Sequence, residues 1–397
     1  MRRRDSRGAH RAGYRLTRSL RDGGLPDRGV TSRHSPGVAR WLLLYELVSL
    51  PRLCRTAHAD EPLVEFHVHH HPAEASASLR QSRRGPYRRN PVIRITLLGT
   101  AAARPTPGRN VAGLAVQHEG DLILWDCGEG TQRQMMRYNT GFNVGAIFVT
   151  HLHADHFLGI PGLLRTLGLQ GHRERVEVFG PPGSRGVLES AVRLGNDRVP
   201  FPVDVQEVEP GTAVSRAGYQ VEAFAVSHGV PAVGYALQEP ERLGRFDVER
   251  ARMLGVREGP DFGRLHRGET VEGAEGPVGP EEVVGPPRRG RRVVYTGDTR
   301  PTRKVLTAAQ GADLLIHEAT FSEEEKDRAR STGHSTALGA ARLARDAGAV
   351  RLVLTHLSAR YADDVDPLVR EARSAFPGVR VGRDGMTVEI PYPEDGE

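Results

Sequence analysis

The chain has 397 residues, enough for one large domain or two ordinary ones, and its 38% hydrophobic content is low for a chain that folds along its whole length. Its formal charge of +6 is unevenly placed: residues 1–90 hold 18 Arg, no Lys and 8 acidic residues, so residues 91–397 carry a net −4 and the high pI describes only the N-terminal segment. Two cysteines, Cys54 and Cys127, exclude both a disulfide framework and a thiolate-built zinc site, and make a reducing compartment the default.

In chain order, residues 1–91 come first, rich in Arg, Gly, Ser and His and without sustained periodicity. They read as a disordered N-terminal extension. A gene-start artefact is the alternative, with Val92 as the true first residue. Within this segment "WLLLYELVSL" at 41–50 contains Glu46 and is far shorter than the ~20 residues of a membrane span. It also begins too late for a signal peptide, so a cytoplasmic protein with no membrane partner is expected. "EFHVHHHP" at 65–72 carries His67, His69, His70 and His71, which read either as a metal-binding tract or as part of the tail.

From Val92 the pattern changes, and short β-branched runs alternate with helical stretches, which predicts an α/β domain over 92–397. "VIRITLLG", "LAVQHEGDLILWDCGEG" and "AIFVTH" predict strands, and "GTQRQMMRY" and "LGIPGLLRTLGL" predict helix starts. Later strands are expected at "RVEVFGP", "YQVEAFAVSH", "VGYALQE", "RVVYTGD", "DLLIHEA" and "RLVLTHL". "STALGAARLARDAG" predicts an amphipathic helix with a glycine stop. No internal repeat is evident by eye. Residues 239–292 are rich in Gly, Pro, Arg and Glu, with little core-forming content, and a loop this long inside a compact domain is usually functional or disordered.

Four apolar runs end in metal-seeking side chains. "AIFVT" is followed by His151, His153, Asp155 and His156, "VEAFAVS" by His228, "RVVYTG" by Asp298 and "RLVLT" by His356. The carboxyl edge of the strands is where sites assemble in α/β sheets. Histidine and carboxylate ligands without thiolate suit Zn²⁺ or Mn²⁺. Seven ligands are too many for one four-coordinate zinc, but they suit two ions bridged by a carboxylate, an arrangement that clamps the attacking and leaving oxygens of a displacement. His118, His172, His266 and His317 stand outside the cluster and read first as ordinary hydrogen-bonded residues.

"THLHADHFLGIPGLL" resembles the signature of the metallo-β-lactamase superfamily. "LILWDCGEGTQRQMMRY", "PTPGRN", "VSHGVPAVGYAL", "VVYTGDTRP", "LLIHEATF", "GHSTA" and "LTHLSARY" together are similar to ribonuclease Z, the tRNA 3′-processing endonuclease family, over about residues 92–391. The resemblance implies a metallo-β-lactamase αββα sandwich with an inserted flexible arm at about 239–275. It implies two Zn²⁺ per subunit, with Mn²⁺ as the alternative ion, a homodimer, and precursor tRNA cut just after the discriminator base to leave a 3′-hydroxyl. By motif, it implies that His151, His153 and His228 hold one zinc, that Asp155, His156 and His356 hold the other, and that Asp298 bridges them. Asp155 would also accept the proton of the attacking water, and His334 in "GHST" would help the leaving oxygen. The arm would grip the tRNA elbow. Yet residues 239–272 contain seven Arg and eight acidic side chains, so phosphate contacts are expected from Arg264, His266 and Arg267 at the tip, or from "RRGRR" at 288–292. Two other readings compete: a hydrolase of small phosphodiesters, sulfate esters or lactams on the same fold, and a non-catalytic RNA-binding module, which the filled ligand set disfavours.

Overall fold

The structure, a computed structural model, describes residues 92–392. The Arg-rich extension and its histidine tract at 65–72 lie outside the described residues. The chain first builds β1 (Ile93–Gly99), β2 (Gly113–His118), β3 (Asp121–Cys127), β4 (Val144–Phe148), β5 (Val176–Gly180) and β6 (Val203–Glu207). The single run expected over "LAVQHEGDLILWDCGEG" is two strands, because Glu119 and Gly120 both take positive φ (48° and 99°) and so turn the chain back in a two-residue hairpin. Next come β7 (Ala213–Arg216), β8 (Tyr219–Ala225) and β9 (Val233–Gln238), then the inserted segment with the short pair β10 (Val271–Glu272) and β11 (Pro277–Val278). The chain returns as β12 (Arg292–Tyr295), β13 (Leu314–Glu318), β14 (Leu352–Thr355), β15 (Arg380–Val381) and β16 (Thr387–Ile390).

These strands form two seven-stranded sheets, ordered β16-β1-β2-β3-β4-β5-β6 and β7-β8-β9-β12-β13-β14-β15. Each reads three antiparallel pairings followed by three parallel ones. The halves therefore share a topology that the sequence does not display as a repeat. Both faces of each central strand are covered, which is why the strands read as continuous apolar runs rather than alternating ones. In β3, Ile123 and Trp125 enter the core between the sheets with Phe148, Tyr235, Val293 and Ile316. Leu122 and Leu124 face the outer layer.

That outer layer is α1 (Thr131–Arg137), α2 (Ala154–Phe157), α3 (Ile160–Leu169) and α4 (Arg185–Arg193) on the first sheet. The inserted segment holds α5 (Val248–Met253) and α6 (Pro260–His266). The second sheet carries α7 (Arg303–Ala308), α9 (Ala337–Asp346) and α10 (Asp366–Ala375), and α8 (Lys326–Thr332) precedes α9 in the chain. The helix expected at "STALGAARLARDAG" is α9, started by Thr336, whose side chain accepts from the Gly339 amide.

The inserted segment is built around a small core of its own. Ala251, Val256, Leu265, Val271, Val278 and Val283 are buried together, with Phe246 and Phe262 packed against them. These few Val and Ala residues are scattered among charges without a period, so the sequence shows no core there. The segment leaves the domain on a two-stranded stalk, where Arg242 pairs with Arg288 and Phe246 with Val284.

Candidate metal centre

The seven ligand-type residues meet at the carboxyl edge of the sandwich. His151 follows β4, His228 follows β8, Asp298 follows β12 and His356 follows β14. The sheets are stitched at this edge: the Val233 amide donates to the Thr150 carbonyl (3.0 Å), and the Leu357 amide donates to that of Thr100 (2.8 Å). Three of the five non-glycine residues with positive φ among the described residues are here, namely Ala103, Asp126 and His356, as expected where a site imposes backbone strain. Two glycines permit the close approaches. A Cβ on Gly128 would lie 2.2 Å from the Asp155 carbonyl, and one on Gly297, itself at φ 56°, would lie 2.8 Å from Thr150.

The ligand-type atoms of His151, His153, His228 and Asp298 all lie within 4.8 Å of one another, as do those of Asp155, His156 and His356. Asp298 stands between the groups. Its Oδ2 is 3.6 Å from His151 Nε2, 3.6 Å from His156 Nε2 and 3.8 Å from His228 Nε2, and its Oδ1 is 3.3 Å from His356 Nε2. His356 Nε2 and His156 Nε2 lie 3.4 and 3.5 Å from Asp155 Oδ2.

The donor set fits metal ions. Several outer ring nitrogens are occupied: His156 Nδ1 at the Asp126 carboxylate (2.7 Å), His228 Nδ1 at the Gly333 carbonyl (3.0 Å), His356 Nδ1 at the Thr320 hydroxyl (3.1 Å) and His151 Nδ1 at that of Thr150 (3.1 Å). Their inner nitrogens converge, with His151 Nε2 2.9 Å and His228 Nε2 3.2 Å from His153 Nδ1. Lone pairs so placed repel one another unless a cation stands among them, and outer partners of this kind fix the tautomer of metal-binding histidines. Asp298 Oδ1 is buried and has no hydrogen-bond partner, which an ion would satisfy.

The charge environment is polarised. Burial pushes the His151 ring well below its ordinary pKa, with His156 adding to the effect. Burial opposes ionisation of Asp155, but hydrogen bonds from His156 and His356 outweigh it and hold the carboxyl well below the usual range. Asp155 Oδ2 also accepts from the Ala103 amide at 2.9 Å. His334 sits at the rim, Nδ1 2.8 Å from Glu318 Oε1. Burial disfavours its charge, yet the Glu318 carboxylate prevails and the pKa rises to about 9.

Sequence reasoning missed Asp126 and Glu318, which orient this centre. Asp126 accepts from Thr150, His156 and Tyr295, and Glu318 accepts from the Thr299 and Thr320 amides, the Thr320 hydroxyl and His334. Their signal was present, since each stands at the end of an apolar run, "LILWD" and "LLIHE".

The remaining expected site residues lie away from the centre. Arg264, His266 and Arg267 stand at the C-terminal end of α6. Arg264 pairs with Glu269 (3.0 Å) and Asp261 (3.3 Å), Arg267 reaches Glu269 at 3.4 Å, and His266 Nε2 lies 3.0 Å from the Gly244 carbonyl. Within "RRGRR", Arg291 has no exposure and Arg289 makes a two-pronged contact with Asp313. This corrects the expectation of a phosphate-gripping run at 288–292, because Arg291 is enclosed by the ends of strands from both sheets.

A family model for the beta-lactamase superfamily domain matches residues 122–255 and 283–357. The chain is 54% identical over 302 residues to a ribonuclease Z of Myxococcus xanthus, covering 76% of this chain and 98% of the relative. The chain belongs to the ribonuclease Z family. A Haloferax volcanii member is 53% identical over 303 residues, covering 76% of this chain and 96% of the relative. The crystal structure of the human short-form tRNase Z superposes with a TM-score of 0.54 at 28% identity, covering 75% of this chain and 99% of that one. Membership accounts for the two-sheet, four-layer architecture, which is the metallo-β-lactamase αββα sandwich.

Proposed function

We propose that this protein cleaves precursor tRNA on the 3′ side of the discriminator nucleotide, releasing the trailer and leaving a 3′-hydroxyl, with two Zn²⁺ per subunit. As a member of the ribonuclease Z family the chain is a hydrolytic endoribonuclease of tRNA processing. The observation that carries the finer reading is Asp298, a buried carboxylate standing between two groups of histidines, with Oδ2 facing His151, His228 and His156 and Oδ1 facing His356. In this reading His151, His153 and His228 hold one ion, Asp155, His156 and His356 hold the second, and Asp298 bridges. Zn²⁺, or Mn²⁺ in its place, would supply Lewis-acid polarisation of the phosphodiester and lower the pKa of a water.

The chain's own groups divide the remaining work. Asp155, a carboxylate held in place by the Ala103 amide, takes the proton of the attacking water. Glu318 occupies His334 Nδ1, which leaves Nε2 for the leaving oxygen. The arm supplies binding far from the bond that breaks, with Arg264, His266 and Arg267 facing the tRNA body. Arg267 is the freest of these, with its side chain 64% exposed and one loose ion pair. A homodimer in the cytoplasm completes the reading. No helix among the described residues is long and apolar enough to cross a membrane.

The test is to incubate purified protein with a precursor tRNA and sequence the product end. A tRNA ending at the discriminator with a 3′-hydroxyl is expected. Hydrolysis of small phosphodiesters with no cut in the precursor would overturn the proposal.

A further inference from the structure

We propose that a cavity beside the metal centre is a subsite for the phosphate next to the scissile one, with Arg104, Arg328 and Arg360 as its contacts and Phe321 as a positioning residue. The proposal rests on the endoribonuclease reading above and deepens it by naming what seats the neighbouring nucleotide.

The cavity holds about 460 Å³ and adjoins the centre through His334 and His356, which line it. The three guanidiniums reach it from separate parts of the chain: the loop after β1, helix α8 and the turn after β14. No carboxylate lines it, although residues 91–397 carry a net negative charge. An acid-free concavity with three arginines at its rim focuses positive potential, and guanidinium suits phosphate oxygens through paired N–H donors.

The charge here is free to act, unlike that of the arm. Arg252 and Arg264 of the arm are each met by two carboxylates. Among the described residues no salt bridge joins Arg104 or Arg328 to an acid, and Arg360 has one contact with Glu325 at 3.4 Å. The Tyr361 hydroxyl donates to that same carboxylate at 2.6 Å.

The arginines are also positioned. Phe321 is buried, and the guanidinium carbons of Arg328 and Arg360 lie 5.8 and 5.9 Å from its ring centroid, within cation–π range. The ring is held by backbone bonds, its amide donating to the Ser335 carbonyl and its carbonyl accepting from Ala337. Arg104 follows Ala103, whose positive φ and whose backbone N–H, donating to Asp155 Oδ2, fix the loop against the centre. Holding the side chains in advance lowers the ordering cost of binding.

A set of precursor tRNAs tests the subsite: one with all phosphates natural, one with a neutral methylphosphonate immediately 5′ of the scissile linkage, and one with it immediately 3′. kcat/KM is measured for the wild type and for Arg104→Ala, Arg328→Ala, Arg360→Ala and Phe321→Leu. Each arginine variant should lose about tenfold or more on the natural precursor, the size of a hydrogen bond to a charged group. The wild type should lose a similar factor on one of the two neutral linkages. On that substrate the variants should lose little more, because both changes remove one interaction. The linkage that shows this coupling identifies the side. Phe321→Leu should act mainly through KM and couple to the same linkage, which a merely structural role would not do. Arg345→Ala, on α9 and away from the cavity, should leave cleavage unchanged.

Arginine variants within twofold of wild type would overturn the subsite, as would losses that multiply independently on both neutral linkages. Failure of the wild type to cut the natural precursor would overturn the endoribonuclease reading and the subsite with it, whereas normal cutting without coupling overturns the subsite alone.

Discussion

Replacing Glu239 by Gln should destabilise the domain while leaving the chemistry of the folded enzyme intact. Glu239 is 4% exposed at the end of β9. Its oxygens accept from Arg291 Nη2 (2.6 Å), Nε (2.8 Å) and backbone amide (3.1 Å), and His118 Nε2 lies at 2.8 Å. Arg291 also donates to the Ile390 carbonyl (2.7 Å) and lies over the Tyr392 ring at 3.9 Å. The knot thus joins β2, β9, β12 and β16. It sits at the end of the second sheet remote from Asp298, because Arg292 at the start of β12 pairs with Gln238. Glutamine keeps the size but leaves the buried guanidinium without its counter-charge, a change that costs about 3–5 kcal/mol. A second route agrees. Burial alone would raise the carboxyl pKa, but Arg291 and then His118 prevail and hold it at about 2, against an ordinary 4.5. That difference corresponds to about 3 kcal/mol. The sign follows from the depressed pKa: the stabilisation is complete above pH 4.5 and is lost as pH falls toward 2. At about 1.6 °C per kcal/mol for a domain of about 300 residues, Tm should drop by roughly 5–8 °C at neutral pH, with the gap narrowing from pH 5 to pH 3. Thermal melts of both proteins across that range, with cleavage assayed at 25 °C, measure it. A gap below 2 °C at neutral pH, or one that does not change with pH, would refute the reasoning.

Asp155→Ala should lower turnover of precursor tRNA by about 10²–10⁴-fold, with tRNA affinity nearly unchanged in a filter-binding assay. Elemental analysis should find about two Zn or Mn equivalents per chain, and Asp298→Ala should reduce both, as loss of a shared ligand requires. A chain beginning at Val92 should fold and process precursor tRNA normally, checked by circular dichroism and cleavage rate. Replacing residues 243–287 with a short Gly-Ser link spares the Arg242–Arg288 pairing and Glu239. That variant should still hydrolyse a small phosphodiester while precursor cleavage falls steeply, and the salt slope of tRNA binding should shrink by about 0.7–0.9 for each phosphate that the arm no longer neutralises.

The seven residues that converge at the centre were readable because they follow the ends of four apolar runs, and apolar runs are the strongest signal of a strand covered on both faces. His151, His228, Asp298 and His356 could therefore be assigned to one edge before any geometry was known. The β2–β3 hairpin was read as one strand because the turn is only Glu119 and Gly120, and neither glutamate nor a lone glycine breaks a run decisively. The matched pairing of the two sheets was invisible for a related reason. Pairing direction depends on connections, which the loops and helices supply with unrelated residues.

Asp126 and Glu318 were missed because an acidic residue after a strand has no chemistry of its own until its partner is known. The partners are His156 and Tyr295 for one and His334 for the other, up to 169 positions away. The same holds more strongly for Arg104, Arg328 and Arg360, three of many arginines in a chain that is rich in them. What sets them apart is that they meet at one cavity lined by no carboxylate, a property of the folded surface that no local window contains. The arm shows the converse. The sequence already showed its seven Arg set among eight acids, and the structure pairs Arg252 and Arg264 with acids three to six positions away. Local charge pairing of this kind is worth little to stability, but it decides which cations remain available to a polyanion. On that reasoning, affinity for the tRNA body should depend on Arg267 more than on Arg264, and register at the scissile bond should depend on the cavity arginines more than on either.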